Sequence, residues 1–177
     1  MRQNMQNVSP MSNEGRNAYV IEHITKAMLD LLQEKSIEEI SISELVDKAQ
    51  VGRASFYRNF TSKEDIIKNF FNTLFSEWTG ELDKKNDEPL SERLRIMISH
   101  FEKNRSFYEL LNKRGLVFLF KDAILNIVEL NPESEKSEAY MKAFAAYALY
   151  GWIETWFQRG MKESADEIAD MFKMFGL

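Results

Sequence analysis

Ser41 to Glu64, SISELVDKAQVGRASFYRNFTSKE, is the stretch whose reading decides the fold. Ile42, Leu45, Val46 and Ala49 recur at helical spacing, so a first short helix has one apolar face. Ser41-x-x-Glu44 is a capping box for its start. Gly52 is expected to end it and turn the chain. The second short helix has two aromatic anchors, Phe56 and Phe60, at i and i+4. That leaves Arg53, Ala54, Ser55, Arg58 and Asn59 to face outward. Thr61-x-x-Glu64 reads as a second capping box, starting a third helix at once. Two short helices around a Gly-containing turn form a helix-turn-helix pattern.

Charge gives this pattern a direction. From Lys48 to Lys63 there are four basic residues, Lys48, Arg53, Arg58 and Lys63, and no acidic one, in a chain of net charge −5. A local positive patch on an acidic protein suits a phosphate backbone, which supplies most non-specific DNA affinity. A solvated basic turn without a partner is the competing reading of the charge alone. The double capping and the aromatic anchors weigh against it.

At these residues the chain resembles the tetracycline-repressor (TetR) family of transcriptional regulators. The family pattern is a small residue, Thr or Ser, an aliphatic or aromatic residue and Tyr, then Phe and shortly a Lys. It is met here by Ala54, Ser55, Phe56, Tyr57, Phe60 and Lys63 within VGRASFYRNFTSKEDI. Asn59 stands where the family often has His, and Ala54 where it often has Gly, which leaves the base preference open. The resemblance implies a homodimer that sets two recognition helices in successive major grooves, roughly 34 Å apart. In this reading Tyr57, Lys63 and Ser43 hold phosphates. Lys63 does so at a helix N-terminus, where free N–H groups favour an anion. Arg53, Ser55 and Asn59 reach bases, and Ala54 allows close approach. Arg58 adds charge to the same face. Arg53 is the candidate for a bidentate guanine contact.

The rest of the composition agrees with an all-α fold. The 177 residues are 44% hydrophobic, with 13 Phe but only 7 Gly and 3 Pro, and strand-like alternation is hard to find. The absence of Cys excludes disulfides, thiolate metal sites and a cysteine nucleophile. No apolar run approaches the roughly 18 residues of a membrane span. The N-terminus lacks a secretory h-region, so the cytoplasm is the expected location and no membrane partner is expected. Residues 1–68 hold 9 Lys+Arg against 10 Asp+Glu, so affinity for DNA has to come from a focused patch, doubled by dimerisation.

Three parts are expected. Residues 1–15, polar and Asn/Gln/Ser-rich, read as a disordered arm. Residues 16–68 read as a three-helix DNA-binding domain, and 69–177 as a helical regulatory and dimerisation domain, for about nine helices in all. The helix from Lys63 runs from one part into the other. Further helices are expected from about Pro89 to Glu102, from a Ser106-x-x-Glu109 cap to Gly115, and over 116–130, where VFLF alone could be a strand. Residues 139–160 are apolar nearly all round, which predicts the most buried helix, covered in part by a second subunit. Gly160 ends it, and Ser164-x-x-Glu167 caps the last helix. The family resemblance, weaker here, implies a homodimer through the last two helices.

Family members usually respond to a ligand in the C-terminal domain. Candidate liners are His100, Phe101, Phe107, Tyr108, Phe118, Phe120, Trp152 and Trp156, which would suit an apolar or aromatic effector. Plain core is the alternative reading of such an aromatic stripe. Control by a protein partner, with activation in place of repression, is the second functional hypothesis. An enzyme is unsupported: with two His, no Cys, no phosphate-cradling loop and no convincing carboxylate pair, there are no catalytic residues to name. No metal site and no cofactor are expected.

Overall fold

The computed structural model describes residues 13–82, 90–127, 131 and 133–174. Nine α-helices and no strand occur among them: α1 (Asn13–Glu34), α2 (Ile42–Lys48), α3 (Arg53–Asn59), α4 (Lys63–Leu82), α5 (Leu90–Lys103), α6 (Arg105–Lys113), α7 (Leu119–Ile127), α8 (Lys136–Gln158) and α9 (Ala165–Met174). The all-α expectation holds. VFLF contributes a turn and the start of α7, not a strand. Of the polar arm expected over 1–15, the first twelve residues lie outside the described ones and Asn13–Gly15 belong to α1. Residues 84–89, whose sequence KKNDEP breaks the helical pattern, also lie outside them. The chain forms two compact units, Met1–Ile67 and Lys68–Leu177, and α4 runs from one into the other.

The first unit is a small core of branched and aromatic side chains. Ile24, Ala27, Met28, Leu31 and Leu32 line one face of α1, and Leu45, Val46 and Ala49 that of α2. Phe56 and Phe60 pin α3, and Ile37 and Ile40 from the α1–α2 connection close the cluster with Ile66 and Ile67. Ser41 caps α2 as its sequence predicts, its hydroxyl accepting from the Glu44 N–H at 3.2 Å. The Glu44 carboxylate turns to Lys35, whose hydrogen bond holds it below the ordinary carboxylate value.

Two local expectations shift in register. Gly52 does not end α2. Gln50 does, with φ 55°, while Val51 N–H donates to Val46 O and Gln50 N–H to Asp47 O. That is a Schellman ending with a non-glycine in the left-handed position. Gly52 instead sits at the N-cap of α3, in extended backbone and with no side-chain cap. The second capping box also moves one residue on. Ser62 accepts from the Asp65 N–H, and the Asp65 carboxylate takes the Thr61 N–H and hydroxyl. Thr61 and Glu64 are therefore not the pair.

The second unit is built on rings. Phe71, Phe75, Phe101, Phe107, Tyr108, Phe120, Trp156 and Phe157 pack with centroid separations from 4.7 to 6.4 Å, mostly edge to face. Around them α5 packs on α9, α7 on α8, and α6 on α8. Polar staples fix the α8–α9 turn. Arg105 donates to Gly160 O and Met161 O, Asn112 to Phe157 O, and the Trp156 indole to Glu163 O. Gly115 and Gly160 take φ of +69° and +79° and end α6 and α8 as expected. Ser106 does not cap α6. It lies in the first turn, Asn104 holds the N-cap position, and Glu109 pairs with Arg105. Ser164 and Glu167 form a reciprocal capping box, at 3.3 and 2.7 Å.

One expectation is corrected outright. α8 is not the most buried helix within the chain. Its N-terminal half leaves Tyr140, Met141, Phe144 and Tyr147 exposed, at 50–72% of their full surface. The pattern that is apolar all round holds in sequence, but the chain covers only the side carrying Ala146, Ile153, Trp156 and Phe157.

Candidate nucleic-acid interface

α3 is placed by two buried rings, Phe56 and Phe60, which meet at 6.0 Å. The other side chains of α3 face wholly or partly outward. Arg53, Ala54, Tyr57 and Arg58 are exposed, and Ser55 and Asn59 are half-buried. Lys48 at the end of α2 is exposed as well, as is Ser43 in its first turn. The basic stretch is therefore a surface in fact, with Lys48, Arg53 and Arg58 on solvent.

The side chains on this surface are not independent. Arg53 Nη2 donates to the Tyr57 hydroxyl at 3.2 Å, and its guanidinium carbon lies 5.7 Å from the centre of that ring. Tyr57 remains 55% exposed and makes an edge contact with Phe56 at 5.2 Å. Asn59 folds back, its amide donating to Ser55 O at 2.8 Å, which leaves its carbonyl oxygen and second amide hydrogen for a partner. The i, i+4 spacing of Arg53 and Tyr57 was the sequence signal for their pairing.

Lys63 behaves differently from the expectation that it reaches for a phosphate. Its ammonium group donates to Ile37 O, to Ile40 O at 2.8 Å and to Glu38 O at 3.4 Å. Three backbone carbonyls thus lie within its reach, as many as it has hydrogens, the one at 3.4 Å being the weakest. The residue closes the α1–α2 connection, 26 residues away in sequence. No local pattern could have shown this.

The residues named for an effector divide. Phe101, Phe107, Tyr108, Phe120 and Trp156 meet in the ring cluster, with His100 at its edge against Phe101 and Phe75. Phe118 is 57% exposed, and Trp152 stacks on Phe172 at 4.0 Å beside the groove between α8 and α9. That groove, about 610 Å³, is lined by Tyr147, Gly151, Trp152, Ile168 and Met171 among others, with Arg159 and Glu163 paired at its rim. Burial raises the Tyr108 phenol well above its ordinary value. No described helix is long and apolar enough to cross a membrane.

Two family models cover most of the chain. The model described as "Bacterial regulatory proteins, tetR family" matches residues 24–69, which hold α2, α3 and the start of α4. One described as "Transcriptional regulator C-terminal region" matches residues 88–175. The chain belongs to the TetR family. That family is one of DNA-binding helix-turn-helix transcription regulators. Among curated relatives, the dhaKLM operon transcriptional activator DhaS of Lactococcus lactis is 27% identical over 86 residues, 49% of this chain and 45% of that one. The HTH-type transcriptional regulator YxbF of Bacillus subtilis is 25% identical over 164 residues, 82% of this chain and 42% of that one. The chain thus spans less than half the length of these relatives. Two solved structures share the fold. Lin0861 of Listeria innocua has a TM-score of 0.69 at 17% identity, covering 95% of this chain and 94% of that one. A TetR transcriptional regulator of Streptococcus agalactiae has 0.61 at 20% identity, covering 94% and 98%.

Proposed function

We propose that this TetR-family regulator binds an inverted-repeat operator as a homodimer in the cytoplasm and represses until a small apolar or aromatic effector releases it. The observation that carries the DNA reading is α3 itself. It is pinned inward by Phe56 and Phe60 alone and presents Arg53, Ala54, Tyr57 and Arg58 to solvent. In this reading Arg53, with Ser55 and the Asn59 carbonyl, meets base edges. Ser43, Tyr57, Lys48 and Arg58 face phosphates. Support for the dimer comes from the bare outer side of α8, where Tyr140, Phe144, Tyr147, Ala148 and Gly151 continue into the α8–α9 groove. A helix face of that kind is what a second copy covers.

A second reading, control by a protein partner without a small ligand, draws support from the ring cluster. Five of the residues expected to line an effector pocket, Phe101, Phe107, Tyr108, Phe120 and Trp156, are packed in one cluster. The DhaS relative is named as an activator, so the sign of regulation follows neither from the fold nor from the family.

The test is selection of genomic fragments by the purified protein at near-physiological salt. Enrichment of a short inverted repeat supports the proposal and names the neighbouring gene, whose product points to the effector. A folded protein that enriches no sequence refutes sequence-specific binding by this chain alone.

A further inference from the structure

Arg53 and Tyr57 hold each other before any DNA is present, and the chemistry of that contact assigns them a joint task. The Tyr57 hydroxyl accepts from Arg53 Nη2 at 3.2 Å, with the guanidinium carbon 5.7 Å from the ring centre. A phenol has one proton to give and lone pairs to receive with. Receiving from Arg53 uses a lone pair and leaves the O–H free to donate outward, on a side chain that is 55% exposed. The guanidinium spends one of its five N–H donors on Tyr57 and keeps four, where a bidentate contact to guanine O6 and N7 needs two. No carboxylate lies between Lys48 and Lys63 to compete for that guanidinium from its own stretch of chain.

We infer that Tyr57 is a positioning residue for base recognition: its hydroxyl, anchored to a phosphate oxygen, fixes the fork of Arg53 against a guanine. The inference rests on the reading of α3 as the helix that meets DNA. It adds that backbone grip and base discrimination pass through one oxygen atom. An arginine free to rotate pays the ordering of its long side chain each time it binds. One already held by Tyr57 has part of that ordering done, and does it in a single orientation. The discrimination is therefore a property of the pair.

The experiment uses the full-length protein and the operator recovered by fragment selection. Each guanine of the half-site is replaced in turn, symmetrically in both halves, and affinities are measured for wild type, Arg53→Ala, Tyr57→Phe and the double variant. Arg53→Ala identifies the position it reads as the one where the cognate-to-replaced ratio collapses. That ratio is expected to be about tenfold or more in the wild type. Tyr57→Phe keeps the ring and the Phe56 contact, and thermal unfolding checks that the fold is unchanged. The expected result is that Tyr57→Phe lowers the ratio at the same position and at no other, and that the double variant is no less selective than Arg53→Ala alone. A phosphate contact with no positioning role lowers affinity for every site alike and leaves the ratio intact. That outcome overturns the inference while the operator reading stands. Failure of Arg53→Ala to lose selectivity at any guanine also overturns it. A wild-type protein that prefers no sequence overturns both.

Discussion

Lys63→Met removes one ammonium group and keeps most of the stem, and its consequence falls on the fold. The group donates to Ile37 O, Ile40 O and, more weakly, Glu38 O. Ile37 and Ile40 are themselves 2% and 1% exposed. Their carbonyls lose a charged donor at a part-buried place, and Ile37 O keeps the longer bond from Ile40 N–H at 3.4 Å. A hydrogen bond to a charged group contributes about 1.5–3 kcal/mol in mutational series, and an orphaned buried acceptor costs about 1–3. Two good bonds that share one ammonium and lie partly exposed sit at the low end, so the loss is about 2–3 kcal/mol. All three Trp lie beyond residue 67, so indole fluorescence does not report this unit. Amide hydrogen exchange over residues 37–67 does. At 1.4 kcal/mol per tenfold, exchange through the opening of this unit speeds up roughly 30- to 140-fold. If Lys63 acted as a phosphate contact and nothing else, exchange would be unchanged and the salt slope of DNA binding would flatten by about one unit. That pair of results would refute the plug.

Phe144→Glu puts a charge on a side chain that is 69% exposed, so the chain still folds. If the wild type sediments as the proposed dimer, this variant is expected to sediment as a monomer; an undisturbed dimer would place the contact elsewhere than the outer side of α8. Gly160→Ala forces a Cβ onto φ +79° and should lower stability by about 1–2 kcal/mol in urea melts. Gly52→Ser, at φ −71° with open space around it, should instead raise stability by about a few tenths of a kcal/mol by supplying the missing cap. Among the described residues, four carboxyls are held below their ordinary value of 4.5: Glu38 by its own backbone N–H, Glu44 by Lys35, Glu135 by Ser137 and Glu163 by Arg159. Lowered folded values stabilise above 4.5 and lose that contribution as pH falls through them. Urea midpoints should thus hold above that pH and drop below it, with Glu44→Gln showing a shallower acid limb over residues 15–67.

How much of this was legible depended on how far each partner lay along the chain. Some contacts within one helical turn were readable, and Ser41 with Glu44 and Ser164 with Glu167 are where the sequence put them, whereas Ser106 with Glu109 is not. Where two adjacent residues could both cap, the frame was not decidable from pattern. Thr61 and Ser62 are both hydroxyls and Glu64 and Asp65 both acids, and the shorter Asp65 won by reaching back to Thr61. Gly52 misled for a similar reason. Glycine favours a left-handed helix ending, but Gln50 took that conformation because Val51 then donates to Val46 O and completes the ending without it. The ring cluster was legible as apolar, while the choice between core and pocket turns on packing that helical periodicity does not encode. For α8, periodicity reported a helix without a polar side and could not say which side the chain itself would cover.

The family resemblance gives Tyr57 and Lys63 the same expected role, holding a phosphate. They part on the reach and satisfaction of their polar atoms. Lys63 has three hydrogens and three acceptors within the protein, so binding an anion means giving up contacts that close the first unit. Tyr57 has accepted one bond and still holds its proton. A residue saturated internally resists recruitment, and one half-satisfied at the surface invites it. By that criterion the proposed DNA-facing surface is centred on Arg53 and Tyr57, and the cation at the start of α4 serves the integrity of the unit that carries α3.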